Sequence, residues 1–305
     1  MDTNGNHAMT DQHRTTADRH PREEEQLVLA AREVEFDWSR LPWHWIPGEP
    51  VTTHTLNVLH LLLPAGEDWF VKVLQQALPM IRDERVREDV LGFIGQEAMH
   101  SKAHGGVLDH FAAMDIDVSP YTGQIDWVFG QLLGDRGLTG RRAQNWIVER
   151  VALIAAVEHY TAVLGAWVLE AHALDRAGAD PTMMDLLRWH GAEEVEHRAV
   201  CFDLLTHLDD SYLRRLRSYI FVTPVLLWLW VRGVRFLMAV DPYTDRKARW
   251  RDWVLAARRD LLPGPVELAR EVVPYLRRRY HPSQQGSVEP AIRYLATSPA
   301  ARAGH

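Results

Sequence analysis

The stretch Trp189–Asp203 reads WHGAEEVEHRAVCFD. Within it, His190, Glu194 and His197 stand four and three residues apart. At ~100° per residue, these three side chains fall inside a sector of ~60° on an α-helix. Two imidazoles and a carboxylate facing one way, among Val195, Ala199, Val200 and Phe202, have the form of part of a metal site. The plainer alternative is a solvated acidic face whose histidines make ordinary polar contacts. Matching pieces elsewhere in the chain decide between the two.

Three segments supply them. A helical pattern over about Asp83–Ala113 centres on FIGQEAMHSKAHGG, with Glu97 and His100 three apart and His104 one turn further on. Its apolar stripe contains Val90, Leu91, Phe93 and Ile94. Upstream, Thr53–Leu63 is helical in pattern, and Pro64 suits the first turn of a second helix. On that second helix Glu67 shares a face with Val71, Leu74 and Leu78, whereas Asp68 points to the solvent side. Glu67 also suits a first turn, where the helix dipole favours an acid. Downstream, Thr139 is a candidate cap for a long helix reaching about Arg176. It carries Glu158 among Leu153, Ile154, Ala155, Val157, Ala162 and Leu164, a costly position unless positive charge meets it. His159 lies ~100° round that helix and is not expected on the same metal. Asp180-Pro181 then offers an N-cap and first-turn proline for the helix of the opening motif, expected to run to about His207.

Glu67, Glu97-x-x-His100, Glu158 and Glu194-x-x-His197 thus follow one another on four helices. This is the ligand set of ferritin-like di-iron or di-manganese bundles. Two adjacent divalent ions need bridging carboxylates to offset their repulsion, and mixed oxygen and imidazole ligands suit iron first and manganese second. Without metal, four buried carboxylates would repel each other and lose hydration. Glu193 lies within ~60° of the same histidines and stays open as the alternative to Glu194. Glu194 is preferred because Glu194-x-x-His197 repeats Glu97-x-x-His100. His104 is read as a partner of a ligand, and Glu196 as a solvated acid. Gly105 and Gly106 either thin the helix wall for a neighbour or are merely tolerated.

The expected fold is all-α: a ferritin-like four-helix bundle with a di-metal site, plus additional C-terminal helices. Residues 1–32 read as a disordered polar leader, 33–210 as the bundle with an N-terminal arm, and 211–305 as a helical extension packed on it. The arm, EVEFDWSRLPWHWIPGEP over residues 33–50, is rich in Trp and Pro, and His44 between two tryptophans is expected to pack. Residues 244–279 read as amphipathic outer helices, and Val288–Ala296 as a short one.

With 305 residues, 47% of them hydrophobic, the chain can bury a substantial core. A net charge of −7, with no zinc-finger pattern or glycine-rich phosphate loop, argues against a nucleic-acid partner. The single cysteine, Cys201, sits in an apolar run and reads as a structural thiol in a reducing compartment. No apolar signal-peptide core opens the chain, so the expected location is cytoplasmic. Ser218–Val231, SYIFVTPVLLWLWV, is too short between charges for an ordinary membrane span and is interrupted by Pro224. A buried helix is its first reading. An interfacial helix is the second, giving peripheral contact with the inner membrane face through 218–240.

The strings PAGEDWF, FIGQEAMHSKAH, AAVEHYTA and WHGAEEVEHRAVCFDL resemble the family of predicted metal-dependent hydrolases, ferritin-like in character, from about Glu33 to the tail. That resemblance implies hydrolysis by a metal-bound hydroxide. His190-x-x-x-Glu194-x-x-His197 is also similar to the last ligand helix of p-aminobenzoate N-oxygenase type di-iron enzymes, which implies His190 as a seventh ligand. Three functions therefore stand side by side. The first is an O₂-activating oxidoreductase acting on a small organic molecule. The others are a metal-dependent hydrolase and a non-enzymatic bundle with structural metal.

Overall fold

Two aspartates start helices where the sequence places them. The Asp83 carboxylate accepts from the backbone N–H groups of Arg85 and Val86, and that of Asp180 from Thr182 and Met183. The computed structural model describes residues 29–303, and among these there are helices and no strand. The α-helices are α1 (Pro50–Ala77), α2 (Glu84–Ala113), α3 (Ser119–Trp127), α4 (Gly140–Leu169), α5 (His172–Arg176) and α6 (Pro181–His197). They continue as α7 (Val200–Leu208), α8 (Tyr212–Val240), α9 (Trp250–Ala257), α10 (Pro265–Val272), α11 (Glu289–Leu295) and α12 (Pro299–Ala303). The chain is all-α, as expected.

Several boundaries differ from the sequence reading. α1 is one helix running through Pro64, not two helices meeting there. Pro50 takes the first-turn position, and packing along α2 carries the axis past Pro64. Proline forfeits one helical hydrogen bond, but the Pro64 carbonyl gains the Ser101 hydroxyl at 2.9 Å. Thr139 occupies the N-cap of α4 without a side-chain hydrogen bond. α4 stops at Leu169 rather than Arg176, because Ala171 leaves helical geometry and α5 follows separately. Arg188 holds that corner, pairing with Asp175 at 2.6 Å. The helix of the opening motif ends at His197, and α7 resumes after a turn at Arg198 and Ala199.

Four helices, α1, α2, α4 and α6, surround a common core, with α8 against α1 and α4. The arm lies over this body: Trp43 and Trp45 are buried, and the Trp45 indole N–H donates to Asn57 at 2.7 Å. His44 does more than pack. Its Nε2 lies 2.6 Å from Asp241 Oδ2, an oxygen shared with His54 Nε2 at 2.8 Å, so arm, α1 and the end of α8 are tied at one carboxylate. Residues 1–28 of the expected leader lie outside the described residues. Arg32, placed in that leader by the sequence reading, is instead fixed against α6.

α8 corrects the expectation of a buried helix. Ile220, Phe221, Leu227, Trp228 and Val231 are more than half exposed. α4 and α8 are both long and apolar enough to cross a membrane by length and composition, and of the two α4 is the more buried.

α4 and α6 touch backbone to backbone where Gly165 faces Gly191. A Cβ built on Gly165 would stand 2.5 Å from the Gly191 carbonyl oxygen and 3.1 Å from Glu194 Cβ. Gly105, in α2, meets nothing within 4 Å, while a Cβ on Gly106 would lie 2.9 Å from the Trp38 indole nitrogen. The two glycine types predict opposite outcomes. Gly165→Ala should destabilise by roughly 1–3 kcal/mol through overpacking. Gly105→Ala should stabilise by roughly 0.5–1 kcal/mol through helix propensity. Urea unfolding of both variants checks the signs, and equal effects would contradict the close crossing.

Candidate metal centre

Each of the four central helices turns a carboxylate inward: Glu67 from α1, Glu97 from α2, Glu158 from α4 and Glu194 from α6. All four are 2% exposed or less. His100 joins from α2, and His190 and His197 from α6. Every residue that the sequence singled out as a ligand is therefore brought to one place.

Its geometry has two halves. In one, His197 Nε2 lies 3.4 Å from Glu97 Oε1, 3.3 Å from Glu158 Oε2 and 3.4 Å from Glu194 Oε2. In the other, His100 Nδ1 lies 3.6 Å from both Glu97 Oε1 and Glu194 Oε1, and His190 Nε2 lies 3.7 Å from Glu67 Oε1. Glu97 and Glu194 belong to both halves. Most of these separations exceed hydrogen-bond lengths. They approach the roughly 3.0–3.4 Å between two ligands that each sit ~2.1 Å from one ion.

The orphaned atoms test whether such ions fit. Both oxygens of Glu67 and of Glu97 are buried without a hydrogen-bond partner, as are Glu158 Oε2, Glu194 Oε2, His100 Nδ1 and His197 Nε2. Buried polar atoms are rarely left so, and a cluster of oxygen and imidazole lone pairs aimed at one space suits divalent cations. Charge agrees with geometry. Burial, reinforced by Glu194, pushes Glu97 and Glu158 up to about 8. Burial, with Glu97 and Glu194 nearby, raises Glu67 well above the carboxylate range. Burial works against Glu194 too, but His197 and His190 hold it low. Burial thus disfavours the ionised form of Glu67, Glu97 and Glu158, and added positive charge would favour it.

A second layer orients the imidazoles. His100 Nε2 donates to Glu193 Oε2 at 3.0 Å, which leaves Nδ1 facing Glu97 and Glu194. His197 Nδ1 donates to Gln96 Oε1 at 3.1 Å, which leaves Nε2 for the carboxylates. Carboxylates and amides behind ligating histidines play this role in metal sites. Glu193 is thus placed behind a histidine and Glu194 within the cluster. Arg32 closes the layer, donating to Glu193 at 2.6 Å and Glu196 at 2.8 Å, while Gln96 Nε2 also donates to Glu196. Burial raises the Glu193 carboxyl, but the bonds from His100 and Arg32 outweigh it and lower its pKa. Glu196, expected in solvent, has a side chain only 3% exposed because Arg32 covers it.

His104 stands behind His190, with Nε2 2.5 Å from His190 Nδ1. Behind His104 stands His60, the two Nδ1 atoms 2.7 Å apart. Burial holds both rings below the usual histidine range, His60 at about 3. His159 is elsewhere, bonded to the Val272 carbonyl and the Tyr280 hydroxyl. Sequence reasoning missed His60, Gln96 and Arg32. His60 had a signal, since it lies seven residues before Glu67 and hence on the same face of α1. Gln96 and Arg32 had none.

No curated protein and no solved structure matches the chain. The family described as predicted metal-dependent hydrolase matches residues 30–286, a span that contains all seven inward-facing ligand candidates. With that span covering most of its length, the chain belongs to the predicted metal-dependent hydrolase family.

Proposed function

We propose that the protein is a di-metal hydrolase. In this reading Glu67, Glu97, His100, Glu158, His190, Glu194 and His197 would hold two divalent ions, iron by preference and manganese as the alternative. The observation that carries it is the set of buried, unpartnered carboxylate and imidazole atoms facing one space from four helices. Such ions supply Lewis acidity toward a carbonyl or phosphoryl oxygen and lower the pKa of water. The chain's own part is to orient and to exclude. Glu193 and Gln96 fix which nitrogen of His100 and His197 faces inward; Arg32 bonds Glu193 directly and is linked to Gln96 through Glu196, which accepts from both.

Metal content is the direct test. The wild-type chain should carry two ions, and Glu97→Gln or Glu158→Gln one or none. Less than about one ion per wild-type chain after loading, with no rise in Tm on adding metal, would refute the reading.

A second reading, an O₂-activating oxidoreductase, is favoured by a cavity with mostly apolar walls that reaches His190 and Glu194. Four carboxylates with three neutral imidazoles also balance two ferrous ions, which lowers the cost of a buried redox pair. Hydrolysis predicts that zinc- or manganese-loaded protein cleaves ester or amide substrates while the ferrous form is inert to O₂. Oxygen consumption by the ferrous form without hydrolysis would replace the first reading with the second.

We also propose that the protein is cytoplasmic, with Ile220, Phe221 and Trp228 on the exposed side of α8 touching a membrane surface rather than spanning it. Fractionation should release it by high salt or carbonate. Recovery in detergent alone would show a span.

A further inference from the structure

Beside the proposed metal centre lies a cavity of about 800 Å³, within the range of about 300–1,000 Å³ typical of small-molecule sites. Leu63, Thr161 and Glu194 form its inner end, the first two within about one turn of Glu67 and Glu158. From there the lining runs away from the centre, along α1 to Val51, along α4 to Val168 and along α6 to Leu187. On α8 it runs from Thr223, whose hydroxyl meets that of Tyr160 at 2.7 Å, to Arg235. The α1 and α8 stretches each rise about 18 Å at 1.5 Å per residue. The cavity is therefore long, with the metal centre at one end.

Its walls offer a ligand little but apolar surface. Leu56, Leu59, Leu164, Leu226 and Trp230 line it. The hydroxyls of Thr55, Thr161 and Thr223 already donate to backbone carbonyls. Charge returns at the far end, where Arg235, Arg249 and Arg251 are exposed. Arg235 and Arg251 enter no ion pair among the described residues, and Glu194, at the opposite end, is the acid of the lining. An apolar cavity about 18 Å long, open to solvent past Leu227, Val231 and Trp250, with the proposed metal centre at one end and free guanidinium groups at the other, complements one kind of molecule.

We infer that this cavity binds a single long apolar chain with an anionic head, of the fatty-acid class, with the head at the arginines and the far end of the chain at His190 and Glu194. The inference rests on the metal-centre reading only for what happens at that buried end. There, a chain ending in an ester or amide suits the hydrolytic reading, and one ending in a methyl group suits the oxidative reading.

The test measures binding of palmitate, hexadecanol and hexadecyltrimethylammonium to the full chain by competition with a fluorescent fatty acid, with metal content determined on the same samples. Palmitate should bind once per chain, about tenfold or more tighter than the cationic amphiphile. Arg235→Glu combined with Arg251→Glu, both on the surface, should abolish that preference and leave hexadecanol unchanged. Leu226→Trp should weaken palmitate and hexadecanol alike. Glu97→Gln should lose metal and keep palmitate. Absence of palmitate binding, equal binding of both charged amphiphiles, or indifference to the arginine substitutions would overturn the inference. Palmitate binding in a wild-type chain that holds no metal would instead refute the metal-centre reading alone.

Discussion

Four carboxylates in one apolar core repel one another and lose their hydration, and that constraint organises the molecule. Removing an ion from water costs several kcal/mol even after relaxation. Among the described residues no Lys or Arg pairs with the inner four. His197 faces three of these carboxylates at once, and His190 lies 2.8 Å from Glu194. Arg32 is engaged by Glu193 and Glu196 in the layer behind. Inner acids keep oxygen atoms without a partner, while Glu193 and Glu196 behind them are paired by Arg32. Spacing alone did not draw that division for Glu193 and Glu194.

Position on a helix face is a local property, so the inward-facing positions of the cluster were legible in the sequence. Glu97-x-x-His100 and Glu194-x-x-His197 are periodic facts, and Glu67 and Glu158 are carboxylates on apolar faces. What escaped was non-local. Arg32 reaches α6 across more than 160 residues, and no local pattern announces it. Glu196 was assigned to solvent from its helical angle, and the same arginine reversed that. Pro64 was read as a helix start because proline favours first turns; Pro50 holds that place, and tertiary packing overrides the cost at Pro64. Apolar composition on α8 does not say which neighbour covers which side, so its exposed face was misjudged. Gly165 and Gly191 become meaningful only once α4 and α6 cross.

That crossing also links the centre to the cavity. Gly165 and Gly191 both line the cavity, and the Glu194 Cβ lies close to the same contact. With no side chains between them, α4 and α6 approach closely enough for Glu158 and Glu194 to share His197. The same bareness shapes the cavity wall just beyond. One pair of small residues thus sets both the spacing of the helices that carry Glu158 and Glu194 and the wall of the cavity beside them.

The row of His60, His104 and His190 has a direction. A neutral imidazole owns one N–H, and each of the two ring-to-ring bonds consumes one. All three rings must therefore point the same way. If His60 donates to His104 and His104 to His190, then His190 Nε2–H points at Glu194 Oε1, 2.8 Å away, and His60 Nε2 is left as a bare lone pair. If His190 instead offers Nε2 as a lone pair, the whole row reverses, and an unpartnered N–H is stranded at His60 Nε2. The tautomer of a ring two residues removed from the centre is thereby set by what His190 faces, and the row behaves as a single two-position unit, with no intermediate arrangement open to it while every ring stays neutral.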